Sequence, residues 1–383
     1  MANIDRRELL KLGFFSAGTA WANALLGGCH AASSAGYPVL SQYADANGVR
    51  LPDGFRSRIV ARSGVEPAIG CGYPWHAAPD GGACFTTFDG GWIYVCNSEI
   101  DNAGGGAGAL RFDASGNVVN AYAVLDDTTR NCAGGATPWG TWLSCEETTT
   151  GRVWECDPQG VNPPILRPAL GVFNHEAVAV DPVTQALYLT EDRPDGGLYR
   201  FMPAAYPDLS AGLLEIASVD IGASGAVTWE RVPDPSAAFT ETRYQVATRL
   251  GFNGGEGIVY HDGRVYFTTK GDNRVWALDT MSQRLEIIYD DDSAITPVLT
   301  GVDNITARSD GSLYVAEDGG DLQVVVIDTD GGVYPILELE GHDASEITGV
   351  AFSPDGSRLY FSSQRGTIGD STGGITFEVT GPF

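Results

Sequence analysis

Phe173-Asn174-His175-Glu176-Ala177-Val178-Ala179-Val180-Asp181-Pro182 sets an acid immediately ahead of a short apolar run that a turn closes. A bounded run of that length reads as a buried strand. The arrangement returns at Gly254-Gly255-Glu256-Gly257-Ile258-Val259-Tyr260, at Gly301-Val302-Asp303-Asn304-Ile305 and at Ser345-Glu346-Ile347-Thr348-Gly349-Val350. A thiol version, Asn131-Cys132-Ala133-Gly134-Gly135, comes earlier. The anchors at 132, 176, 256, 303 and 346 lie 44, 80, 47 and 43 residues apart, the long gap being near two periods. That period belongs to propeller blades of four strands each. The expected fold is therefore all-β, a six-bladed β-propeller whose innermost strands start near a common axis. Cys132, Glu176, Glu256, Asp303 and Glu346 would converge there.

Composition fits this reading. The chain has 50 Gly and 20 Pro among 383 residues, enough for many turns, and 43% apolar residues, enough for a packed core. Its net charge of −26 excludes nucleic acid and anionic membrane as natural partners. So acidic a chain needs metal cations to handle an anion.

The spacing divides the chain into residues 1–32 as a leader, 33–70 as a tether with a lead-in strand, and 71–383 as the propeller. An insertion around 203–250 has poor period. Ring closure falls to Phe55-Arg56-Ser57-Arg58-Ile59-Val60 or to the C-terminal strand. The leader contains Asp5-Arg6-Arg7-Glu8-Leu9-Leu10-Lys11, which resembles a twin-arginine export motif, followed by an apolar stretch and Leu26-Gly27-Gly28-Cys29, which resembles a lipobox. The expected partner is the twin-arginine export machinery, and the expected location periplasmic or cell-surface, with a lipid anchor at Cys29 as one alternative. Six further cysteines lie before residue 160. Cys84 and Cys96, and likewise Cys145 and Cys156, flank turns that place each pair nearly opposite. Strained disulfides and free thiols both remain open for them.

A second series marks the exits of the middle strands. Glu99 follows Tyr94, Glu146 and Glu147 follow Trp142, and Glu191 and Asp192 follow Tyr188. Lys270 follows Tyr266, Glu317 and Asp318 follow Tyr314, and Gln364 follows Tyr360. Long exit loops are expected to fold these residues back over the axial mouth. Four converging carboxylates repel and require bound cations or large pKa shifts. Oxygen ligands alone suit calcium, whereas the Cys132 thiolate selects iron, zinc or another softer ion. His175 reads as a supporting or packing residue. The sequence has no Cys-x-x-Cys and no Walker loop, which leaves nucleotide chemistry without a basis.

The stretch from Asn131 through Cys132-Ala133-Gly134-Gly135-Ala136-Thr137-Pro138-Trp139-Gly140 to Glu147 resembles the signature of the PhoX-type alkaline phosphatases. His175-Glu176-Ala177-Val178-Ala179-Val180, Thr190-Glu191-Asp192, Gly255-Glu256-Gly257, Asp303-Asn304-Ile305 and Gly349-Val350-Ala351-Phe352 resemble further parts of that family. The resemblance implies a monomeric phosphomonoesterase acting on a small phosphorylated substrate, with iron and calcium at one end of the axis. It implies Cys132, Glu176, Glu256 and Asp303 as iron ligands, the first three also being catalytic. Glu346, Glu99, Glu146, Glu191 and Glu317 fall to the remaining ions. The sequence departs from the family where Arg-Pro-Glu reads Gly254-Gly255-Glu256, so the phosphate-gripping arginine is missing. Lys270 is the candidate to replace part of its charge. The chain is also shorter than the full-length phosphatases. Two other readings are a non-catalytic metal-binding propeller and a lactonase-like hydrolase that uses calcium alone.

Overall fold

A computed structural model describes residues 39–218, 226–294 and 297–383. The leader and Cys29 lie outside the described residues. Six antiparallel sheets of four or five strands form the described chain. Blades in a propeller are covered on both faces, so their middle strands are continuous apolar runs instead of alternating ones. Trp92–Ser98 and Ala186–Glu191 are buried at every position. Neighbouring blades meet through such strands, as where Tyr94 stacks on Tyr360 with ring centroids 5.1 Å apart.

The innermost strands are Pro79–Thr86, Asn131–Ala136, His175–Asp181, Gly255–His261, Val302–Ala307 and Ile347–Phe352, each packed on the next and the last on the first. They approach closely because small residues face the axis. A Cβ on Gly257 would fall 2.6 Å from the Ile305 nitrogen, and one on Gly81 2.5 Å from the Ala133 Cα. A cavity of about 40 Å³ lies between these strands, lined by Gly81, Ala133, Gly257 and Gly349 among others.

Both candidates for closure are used. Arg56–Arg62 pairs with the C-terminal strand Ile375–Thr380 and becomes the outermost strand of blade six. Glu378 pins the seam. It is buried, with Arg58 Nη2 at 2.8 Å, Arg358 Nη1 at 2.7 Å and the Tyr360 hydroxyl donating at 2.8 Å. Upstream, Val49–Arg50 pairs with Val333–Leu339 of blade five, so the segment expected as a tether is docked from residue 49 onward. The poorly periodic stretch is partly blade as well. Asp208–Ser218 is the fourth strand of blade three and Thr228–Arg231 a fifth, an outward extension that no four-strand period anticipates.

Of the two outcomes left open for the opposed cysteines, the structure has the free thiols. Cys84 lies opposite Tyr94 and Cys96 opposite Gly82, while Cys145 faces Val153 and Cys156 faces Trp142. All six cysteines from Cys71 to Cys156 are free thiols. Glu378→Ala would leave two arginines without their buried partner at the closing seam. It should lower stability by about 3 kcal/mol, read as a shift of the urea midpoint.

Candidate metal centre

The inner strand of every blade carries an irregularity in its pairing with the middle strand, and in five blades it falls at the same step. The breaks lie between Pro79 and Gly82, Asn131 and Gly134, His175 and Val178, Gly255 and Ile258, and Val302 and Ile305. A bulge re-aims the side chains it contains. The residue just inside each bulge is Asp80, Cys132, Glu176, Glu256 and Asp303 in turn. In blade six the break lies between Thr348 and Ala351, so the residue in phase is Gly349. A Cβ there would fall 2.4 Å from the Asp80 carbonyl oxygen, and its φ is +67°. Glu346 thus enters from the loop ahead of the strand, outside the phase that its sequence spacing suggested.

Asp80 is the member that sequence reading missed. Pro79-Asp80-Gly81-Gly82 has the form of Asn131-Cys132-Ala133-Gly134, but an Asp-Gly pair reads first as a turn. Asp80 is buried, and Gln364 Nε2 donates to its Oδ2 at 2.7 Å.

The exit residues reach the axis without long loops, because antiparallel pairing sets the end of the middle strand directly beside the start of the inner one. Ser98, Glu146, Glu191, Thr269 and Glu317 oppose the residues just before the five bulges. Side chains alternate along a strand, so the next residue in each case faces the axis: Glu99, Glu147, Asp192, Lys270 and Asp318. Three expected ligands are therefore turned away. Glu146 accepts from the Thr129 amide, Glu317 from the Thr300 and Gln323 amides, and Glu191 from Tyr199 and Arg243. Glu147, Asp192 and Asp318 stand toward the axis in their places.

Potential ligand atoms form four overlapping groups, each within 4.8 Å: Asp80–Glu99–Cys132, Cys132–Glu147–Glu176, Glu176–Glu256–Asp303 and Asp303–Asp318–Glu346. Cys132 Sγ lies 3.2 Å from Glu176 Oε1. Interblade bonds hold the ligand backbone: Thr190 and Thr268 Oγ1 donate to the carbonyls of Glu256 and Asp303, each at 2.5 Å. Asn97 Nδ2 donates to the Ala133 carbonyl at 2.7 Å.

Three cations brace the ring. Lys270 Nζ stands 2.8 Å from Asp318, 3.4 Å from Asp303 and 3.6 Å from Glu256. Arg130 bridges Glu99 at 2.5 Å and Glu147 at 2.6 Å, and Arg365 meets Glu346 at 2.9 Å. They do not balance the acids. Burial and like-charged neighbours hold Asp80, Glu176 and Glu346 well above the carboxylate range. Burial raises Glu256 likewise, against the pull of Lys270, and lifts Asp303 and Asp192 to about 6. Burial, then the charges of Asp80 and Glu176, pushes up the Cys132 thiol. Burial disfavours the Lys270 ammonium, but Asp303, Glu256 and Asp318 overcome this and raise its pKa. Glu256 Oε1 is buried without a hydrogen-bond partner among the described residues. An orphan oxygen, a thiol and crowded carboxylates suit a site for metal ions.

The family model for alkaline phosphatase PhoX matches residues 95–284. Over those residues the chain belongs to the PhoX family. It is thus a phosphatase-like hydrolase. PhoX of Pseudomonas fluorescens, solved in complex with vanadate, a transition-state analogue, superposes with a TM-score of 0.74 at 16% identity, covering 90% of this chain and 97% of that one. A gluconolactonase from Xanthomonas campestris reaches 0.54 at 13% identity over 91% and 99%. A Bacteroides thetaiotaomicron protein of unknown function reaches 0.52 at 10% identity over 85% and 76%. These likenesses concern the fold. No curated protein matches the chain.

The raised carboxyls fix a pH dependence. In the ion-free fold they keep protons that the unfolded chain has released, so stability falls as pH rises from Asp303's ordinary 3.8 through its folded value of about 6 and beyond. Ion binding removes this loss because bound ligands are already ionised. The melting temperature lost on chelation should grow steadily between about pH 5 and about pH 8, as differential scanning fluorimetry would record.

Proposed function

We propose that this PhoX-family chain is an exported, metal-dependent phosphomonoesterase acting on small phosphorylated substrates as a monomer. The observation that carries the reading is the thiol of Cys132 set among buried carboxylates, with Glu176 Oε1 at 3.2 Å. An all-oxygen ring suits calcium alone, whereas a thiolate in the ring favours a softer ion such as iron beside it. This distinguishes the proposal from a calcium-only lactonase. Cys132, Glu147, Glu176, Glu256 and Asp303 would hold the iron, and Asp80 and Glu99 the neighbouring calcium. Bound there, the ions would supply Lewis-acid polarisation and charge neutralisation for phosphoryl transfer.

The chain's own residues supply the rest. The Cys132 sulfur loses its proton when it serves as a ligand. Lys270 is about one-third exposed at the mouth, so its ammonium can meet a phosphoryl oxygen while remaining tied to Asp318. Its location answers the missing arginine, since a Cβ on Gly254 would lie 3.8 Å from the Lys270 Cβ. Gly254 has φ +71°, a conformation that an arginine adopts only under strain. A lysine grips phosphate as a point charge, without the bidentate fork of arginine. Arg130 and Arg365 stand on the flanks. The vanadate complex of the Pseudomonas fluorescens protein supports the phosphoryl reading. The Asp5–Lys11 motif supports the twin-arginine route to the periplasm or cell surface, with Cys29 as the lipid anchor.

The test uses protein made through the export route and assayed on p-nitrophenyl phosphate. Hydrolysis inhibited by vanadate, with iron and calcium in the elemental analysis, is the expected result. Fully folded protein that holds both ions without hydrolysing phosphomonoesters would overturn the proposal. Removing supporting groups around a metal costs 10–100-fold, so Cys132→Ser, which removes a ligand, should cost at least about 100-fold in activity together with the iron.

A further inference from the structure

Five residues occupy one station at the exits of blades one to five, each directly after the residue that opposes the start of a bulge. Four are acids: Glu99, Glu147, Asp192 and Asp318. The fifth, in blade four, is Lys270. The reversal of charge is local and stereochemically deliberate. The Lys270 amide donates to the Gly254 carbonyl at 2.8 Å, which anchors the backbone from which the side chain reaches Asp318, Asp303 and Glu256.

Two of those partners, Asp303 and Asp318, belong with Glu346 to one of the four ligand groups. A calcium ion bound there would sit about 2.3–2.6 Å from its oxygens. The ammonium already lies 2.8 Å and 3.4 Å from Oδ2 of these two carboxylates. Two cations cannot share those oxygens at such range without strong repulsion. The buried Glu256 Oε1 on the same side accepts no hydrogen bond among the described residues and has the Lys270 ammonium at 3.6 Å.

We propose that Lys270 is a tethered substitute for a divalent cation, and that it keeps the Asp303–Asp318–Glu346 group free of metal in the loaded protein. The inference rests on the metal-dependent reading above and deepens it. The metal set is confined to the groups reaching from Asp80 to Asp303, while the blade-four to blade-five side of the mouth keeps a fixed organic cation. That side can attract a phosphoryl oxygen but cannot exchange its charge with the medium. Calcium depletion would thus empty one side of the mouth and leave the other charged.

The experiment counts ions. Wild type, Lys270→Gln and Lys270→Arg are loaded with excess calcium, freed of unbound ion by gel filtration and analysed for calcium per chain. Lys270→Gln should hold one more calcium than wild type, and Lys270→Arg the same number as wild type. Adding Glu346→Gln to the Lys270→Gln chain should remove the extra ion, which locates it. Should Lys270→Gln fold only when calcium is supplied, while the wild type folds without it, the proposal is again supported. A Lys270→Gln chain that folds with the wild-type count, or that stays unfolded in excess calcium, overturns it. A wild type that holds no metal at all would overturn the metal-dependent reading and this inference together. A wild type that holds its ions beside an unchanged Lys270→Gln count would sink the inference alone.

Discussion

Buried carboxylates pressed against one another are tolerated only where positive charge or protons stand between them, and the axial end of this propeller is governed by that demand. Asp80, Glu176, Glu256, Asp303 and Glu346 are all buried within one ring, and Glu99, Glu147, Asp192 and Asp318 crowd it from the exits. The fold answers with Arg130 between Glu99 and Glu147, Lys270 among Asp318, Asp303 and Glu256, and Arg365 against Glu346. The Gln364 amide serves Asp80 and Glu99 at 2.7 and 2.8 Å. What these groups leave uncompensated appears as carboxyls that hold their protons far above the usual range. Divalent ions are the stronger answer, since each neutralises two carboxylates and is strengthened by exclusion of water.

The backbone makes this crowding possible. A regular inner strand would send alternate side chains into the blade interfaces, where carboxylates could not be buried. The bulge, repeated at one step in five blades, turns a single residue per blade toward the axis and leaves the rest of the strand to pack. Threonines 190 and 268 then fix the ligand carbonyls from the neighbouring blade. The ring is therefore a property of blade contacts as much as of ligand residues, and loosening one interface should be felt at the ions.

The periodicity of acid-plus-apolar runs was enough to read six blades and most of the inner ring, because those runs are local and their spacing is set by four strands of ordinary length. What stayed illegible depends on pairing across the chain. Which acid of Glu146-Glu147, Glu191-Asp192 or Glu317-Asp318 faces the axis is decided by register, and a one-residue step exchanges the faces. Asp80 was hidden because Asp-Gly is ordinary turn chemistry, and Glu346 looked in phase because the loop before blade six carries an acid three residues ahead of Gly349. The closing strand Arg56–Arg62 was ambiguous because its partner lies more than three hundred residues away.

Gly254 and Lys270 form one exchange and are best understood together. The backbone at 254 is left-handed, and the Lys270 amide donates to its carbonyl, so the turn that excludes an arginine is also the turn that positions the lysine. A guanidinium at 254 would reach the mouth as a rigid, bidentate fork. The ammonium from 270 arrives already engaged with three carboxylates and has fewer donors to spare. On the proposed function, a phosphoryl group at this mouth would compete with Asp318 for the lysine, and its binding would depend more on metal ions than with an arginine clamp. On that reading the exchange would move the site from geometric recognition of phosphate toward recognition by charge alone, favouring tolerance of the leaving group over tight retention of the product.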